Sequence, residues 1–176
     1  VAGRGALLGE DAPATLRSTR NLALVHRKEQ RYFEAQELLE RVIGGLRVAL
    51  GADHPETLQA INDQAGVYVF LGERERALPL FEEALAGRMR LLGEQHPDTL
   101  VTLNDLAYLH LQNGEFDAAE PLYEKAIEGK KLALGATHPE TLTSQNNLAA
   151  LYYERGRYGE AEALYAEVVD GTIATS

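Results

Sequence analysis

The stretch HPETL at residues 54–58 returns at 138–142, and HPDTL stands between them at 96–100. Pro55, Pro97 and Pro139 are therefore 42 residues apart, and APATL sets Pro13 the same distance upstream of Pro55. One unit is written four times. Self-similarity at a period of about 20 to 50 residues is the mark of stacked supersecondary units, each of which buries its apolar face only against its neighbours. Any motif that recurs in step with the period must be tested as part of that scaffold before it is read as chemistry.

Lining up the copies shows what the unit is. Each proline is followed by a threonine and a leucine, then by apolar residues at helical spacing, which in the fourth copy are Leu142, Leu148, Ala149, Leu151 and Tyr152. This predicts a first helix that stops near Gly72, Gly114 and Gly156, where glycine takes the left-handed conformation that closes a helix. In the first copy Gln30 stands there, which weakens the expectation of a turn. A second helix follows, with Ala119, Leu122, Tyr123, Ala126 and Ile127 as its apolar positions in the third copy, and it stops at Gly51, Gly93 and Gly135.

The histidines of the repeated stretch could be mistaken for ligands. His54, His96 and His138 each sit between a helix-ending glycine and a proline suited to the first helical position, so they read as linker residues. Packed helices lie roughly 8 to 10 Å apart, too far for one histidine per repeat to share an ion about 2 Å from each ring. His26 and His110 fill the place of Tyr68 and Tyr152 and read as half-buried packing residues. No metal site is expected.

Other chemistry is excluded in the same way. No serine or carboxylate recurs beside the histidines in the context of a nucleophile, no glycine-rich phosphate loop follows a strand, and paired carboxylates such as Glu82 and Glu83 lie on exposed helix faces. Cysteine is absent, which removes a thiol nucleophile and any cysteine-held cluster. The sequence thus gives no catalytic residue, no cofactor and no enzyme. A net charge of −10 argues against nucleic acid, and no apolar run approaches the ~18 residues that span a bilayer. The partner left is a protein or a peptide, in a chain that also lacks a signal peptide and is expected in the cytoplasm.

The motifs resemble a known family. Leu148, Ala149 and Tyr152, or Leu106, Ala107 and His110, are followed by a glycine and then by Ala77 and Phe81, Ala119 and Tyr123, or Ala161 and Tyr165. This resembles the tetratricopeptide repeat (TPR). The 42-residue period, the LG-x-x-HP-x-TL linker and NNLA-x-LY-x-x-x-GRY-x-EAE-x-LY resemble more narrowly the long repeats of kinesin light chains and of bacterial and fungal signalling proteins. The tryptophan position of the general pattern holds Thr19, Ile61, Leu103 and Gln145, and Gln64 replaces a usual leucine. The resemblance implies an all-α fold, a right-handed α-solenoid of four antiparallel helix pairs with the first helix of each pair lining the concave side. The repeats fall at about 11–52, 53–94, 95–136 and 137–176. Residues 1–10 match the end of a preceding second helix, so the chain reads as an excerpt of a longer array, with an apolar face expected at one or both ends and self-association open through those uncapped ends.

A concave peptide groove is the functional expectation. Positions 4, 7, 8, 11, 14 and 15 after each proline share a face that the apolar residues leave free, and they hold Arg17, Arg20, Asn21 and Arg27 in the first copy, with Asn62, Asp63 and Phe70 in the second. The third copy places Asn104, Asp105 and Tyr108 there, and the fourth Asn146, Asn147 and Tyr153. Asparagine is a mediocre helix former, yet it or aspartate recurs in every copy, and an amide can both donate to and accept from an extended backbone. In relatives of the resembled family asparagines at these positions contact peptide, which implies that role for Asn62, Asn104 and Asn146. The same amides can equally cross-link neighbouring helices. An array that only spaces or oligomerises other domains is the alternative reading.

Overall fold

The structure is a computed structural model that describes residues 9–174. The described residues form eight α-helices and no strand: α1 Pro13–Lys28, α2 Tyr32–Leu50, α3 Pro55–Leu71, α4 Arg74–Leu92, α5 Pro97–Gln112, α6 Phe116–Leu134, α7 Pro139–Glu154 and α8 Tyr158–Ala174. Residues 1–8, most of the stretch expected to end a preceding helix, lie outside the described residues. The all-α helix-pair architecture is the one the repeat predicts. Two compact units divide the chain, Val1–Leu91 and Leu92–Ser176, each holding two helix pairs.

Every letter of the repeated stretch now has a mechanical role. His54, His96 and His138 are N-caps whose Nδ1 atoms accept a hydrogen bond from the N–H of Glu56, Asp98 and Glu140, each at 3.2 Å. Proline follows at the first helical position. The threonine hydroxyls of residues 15, 57, 99 and 141 donate back to the carbonyls of Gly9, Gly51, Gly93 and Gly135 at 2.8 to 3.0 Å. Within the units, Thr57 ties α3 to the end of α2 and Thr141 ties α7 to the end of α6.

The leucine completes the lock. A Cβ on Gly45, Gly87, Gly129 or Gly171 would meet a methyl of Leu16, Leu58, Leu100 or Leu142 at 2.5 to 2.7 Å. A bare backbone on the second helix is what lets the leucine of the first lie this close. These glycines keep the same repeat position in all four copies, and the periodic reading of the sequence passed over them.

Turns close as expected, including the doubtful one. Gly72, Gly114 and Gly156 have φ between 75° and 78°, and Gln30 adopts φ 61° at the matching place without being glycine. In the first unit the core joins Leu16, Val42, Leu46 and Ala60, then Ala23, Ala35, Leu39 and Val67. In the second unit it gathers Ala107, Ala119, Tyr123, Ile127, Leu148, Leu151 and Tyr152. Each cluster joins residues of adjacent repeats, which is how a unit without a core of its own acquires one.

Candidate functional site

Within the first unit the first helices of adjacent repeats, α1 and α3, lie side by side, and their polar faces meet. Arg20 Nε donates to Asp63 Oδ2 at 2.5 Å, and Gln59 Nε2 donates to the other carboxylate oxygen at 3.2 Å. Arg88 of α4, almost fully buried, donates to Gln59 Oε1 at 2.7 Å. Arg17 Nη1 donates to Glu56 at 3.0 Å. Arg17 and Arg20, two of the residues expected on the groove face, are thus turned on the protein's own acids.

Two members of that face stay available. The Arg27 guanidinium makes no ion pair or hydrogen bond among the described residues, and its Nη1 lies 3.5 Å from where a Cβ of Gly66 would stand. Phe70, 57% exposed, stacks on Tyr32 with ring centroids 5.2 Å apart and planes 3° from parallel. Asn21 is exposed, whereas Asn62 is only 5% exposed and its Oδ1 is buried. On this face Phe70 is open to solvent and Arg27 half-buried, while Asn62 is covered by its neighbours.

The second unit builds the same face from other groups. Asn104 and Asn147 occupy the repeat positions of Arg20 and Asp63, and Val101 takes the place of Arg17. Asn104 is half-buried and nothing among the described residues bonds its Oδ1. Asn147 is half-buried, Asn146 is exposed, and Tyr108 and Tyr153 both show aromatic surface to solvent. Tyr153 meets Tyr158 edge to face with ring centroids 5.4 Å apart.

Beneath this face lies a buried cation that the sequence reading missed. The Lys130 ammonium donates to Ser144 Oγ at 3.1 Å and stands 3.8 Å from Glu140. Burial lowers its pKa from the ordinary lysine value, and the nearby Glu140 and Asp105 carboxylates oppose that shift. Arg88 holds the matching place one repeat earlier. The signal was present: the position reads Leu46, Arg88, Lys130 and Thr172, two charges on an otherwise apolar stripe. Asp105 also acts on Tyr123, whose buried hydroxyl has no bonding partner among the described residues and whose pKa is pushed well above the ordinary tyrosine value, first by desolvation.

His26 and His110 are half-buried packing residues beside the first-helix ends. His110 Nδ1 lies 2.6 Å from Glu115 Oε2, and that hydrogen bond holds the Glu115 carboxyl below the usual range. Among the described residues no three histidine or carboxylate side chains gather as a metal site, and no helix is long and apolar enough to cross a membrane.

Within each unit, helix pairs locked at a fixed period define the class as a helical-repeat scaffold. The chain belongs to the tetratricopeptide repeat family, whose sequence profile matches residues 11–89, 71–132 and 107–172. Its structure is similar to that of nearly identical TPR-like repeats attributed to a kinesin light chain from Podosopora anserina, with 29% identity over 99% of this chain and 82% of that one and a TM-score of 0.79. It shares its fold with BtubC (BKLC) from P. vanneervenii at 23% identity and a TM-score of 0.82, covering 93% of this chain and 66% of that one. The aspartyl phosphate phosphatase F of Bacillus subtilis has the fold too, at 12% identity and a TM-score of 0.77, covering 93% and 41%. No curated protein matches the chain. Repeats of this family generally mediate protein–protein interactions and are typically non-enzymatic scaffolds.

Proposed function

We propose that the first-helix faces bind an extended segment of another protein. The observation that carries this reading is the amide of Asn104, half-buried with an unbonded Oδ1, on a face where Asn146 and Asn147 add further amides. The Asn104 Oδ1 is covered like that of Asn62, so a peptide N–H reaches it only once the side chain turns outward; the cost of an unpaired buried acceptor favours that turn, and exposed Asn146 is reached directly. The second unit thereby supplies backbone recognition, with Tyr108 and Tyr153 as apolar contacts. The first unit, taken by itself, offers a segment on its own face Arg27 for a carboxylate and Phe70 for an apolar side chain.

The test is a peptide-display selection against the parent chain, counter-screened with a variant carrying Asn104→Ala, Asn146→Ala and Asn147→Ala. Three lost hydrogen bonds at roughly 0.5 to 1.5 kcal/mol each weaken selected peptides by about 1.5 to 4.5 kcal/mol. Circular dichroism of the variant should match the parent. Peptides enriched equally by both proteins would remove the amides from the reading. A spacer or assembly role would then take its place, and one observation already favours it in the first unit, where Arg17 and Arg20 are held by Glu56 and Asp63.

A further inference from the structure

The three capping histidines hold their helix starts in one protonation state only. Nδ1 of His54, His96 and His138 accepts the N–H of Glu56, Asp98 and Glu140 at 3.2 Å, so the ring proton sits on Nε2 and each imidazole is neutral. A second proton turns Nδ1 into a donor. The backbone N–H then faces another N–H, the cap is lost, and a positive ring stands at the positive end of the helix dipole. The commoner caps, serine and asparagine, accept at neutral and mildly acidic pH alike, whereas histidine is the side chain that changes charge between the two.

All three rings are half-buried, so protons reach them. The charges around them differ. Beside His54 stand Glu56, held by Arg17 of α1, and Asp53, held by Arg90 of α4. His96 has Asp98 3.8 Å from its Nδ1, close enough to attract an imidazolium and soften the loss there, and Glu94 nearby is held by Lys125 of α6. Next to His138 is Glu140, which lies 3.8 Å from the buried Lys130 ammonium of α6. The cations in the last turns of the preceding helices are turned to other acids, Arg47 of α2 to Glu83 and Lys131 of α6 to Glu167 of α8.

Helix α1 is the built-in control. Ala12 holds the cap place there and has no side chain to titrate. The other two histidines act with the opposite sign, because His110 Nδ1 lies 2.6 Å from Glu115 and His26 Nδ1 3.7 Å from Glu29, and both gain an ion pair on protonation. Overall stability therefore mixes gains with losses. Only the first turns isolate the caps.

We propose that the histidine caps form a proton-operated release, which loosens the starts of α3, α5 and α7 in mild acid and leaves the start of α1 unaffected. The caps are intact above the ordinary histidine value of about 6.5 and are lost as pH falls through it. The same helices carry the polar faces of both units, so the release acts on those faces from within. It operates whatever those faces bind.

Amide hydrogen exchange of the whole chain, expressed as protection factors roughly one pH unit above and one below that value, tests this. The N–H groups of Glu56, Asp98 and Glu140 should lose protection about fivefold on acidification, least at Asp98, while the first turn of α1 keeps its own. His138→Asn supplies an acceptor that does not titrate in this range and should abolish the acid response of α7 alone, and His54→Asn should do the same for α3. Unchanged protection of the three capped N–H groups overturns the proposal, and so does an acid loss in α1 as large as theirs. A response that persists in α7 of His138→Asn or in α3 of His54→Asn, with circular dichroism matching the parent, would also overturn it.

Discussion

Seven residues after the repeat proline and eight residues after the next one, the first unit places Arg20 and Asp63, and the second places Asn104 and Asn147. The scaffold around the two pairs shares the threonine tie and the leucine against a bare glycine, and a histidine caps every first helix but α1, where Ala12 stands. Their chemistry is opposite. In the first unit the charges satisfy each other at 2.5 Å and draw in Gln59 and Arg88. In the second the Asn104 acceptor is left unbonded. One repeat position can therefore cement the array or leave an amide unpaired, and the choice rests on whether the neighbouring repeat brings a complementary group.

The largest expected effect strikes the cemented side. Arg20→Met strands the Asp63 carboxylate, whose side chain is only 7% exposed. Breaking a fully buried pair costs about 3 to 5 kcal/mol; because Arg20 is a quarter exposed and Gln59 still donates to Asp63, about 2 kcal/mol is expected here. Asn104→Ala removes an unbonded group and should leave stability unchanged or slightly raised. Urea midpoints at constant slope decide it, and equal losses in both variants would erase the distinction between the units.

A smaller effect lies in the cores. The second unit buries Tyr123 where the first buries Phe81, and no group among the described residues bonds the tyrosine hydroxyl. Tyr123→Phe should therefore stabilise by about 1 kcal/mol, the lower end of the penalty for a buried unsatisfied group. The pH dependence carries a sign. Desolvation raises the Tyr123 pKa above the ordinary value of 10.0, so above that pH the unfolded chain sheds a proton that the folded chain keeps, and stability falls. The phenylalanine variant should lose stability less steeply above pH 10 than the parent. Parallel curves would show that the hydroxyl is not held in a dry site.

What the sequence made legible follows from what periodicity encodes. A period of 42 and its glycines and prolines determine where helices start, stop and face the core, and those features stand in the structure, with Gln30 turning at φ 61° despite its side chain. Periodicity assigns a residue to a face but says nothing of its partner. Asn62 and Asn146 share a repeat position, yet the first is 5% exposed and the second lies open to solvent. Arg20 and Asp63 read as two groove charges because they are 43 residues apart, and only the packing of α1 on α3 brings them to one hydrogen bond. Arg88 and Lys130 escaped notice because a cation on an apolar stripe reads as an exception until its buried acceptor is seen.

The smallest expected effect concerns the one copy that lacks a histidine. Ala12 takes the N-cap place of α1 with φ −63° and ψ 136°, nearly the −64° and 138° of His54, but has no side-chain acceptor to offer. The backbone is already set for a cap, so a substitution there needs no rearrangement. Ala12→Ser supplies an oxygen within reach of the first-turn N–H groups and should stabilise by about 0.5 to 1 kcal/mol, while His54→Ala should cost a similar amount. The macrodipole favours an acid at the same place, so Ala12→Asp should do slightly better than serine at low ionic strength and converge with it as salt is added. Hydrogen exchange in the first turn of α1 reads the change locally, with α5 as the internal control. If Ala12→Ser leaves that turn as labile as in the parent, the histidines of the other three copies are held for packing rather than for capping.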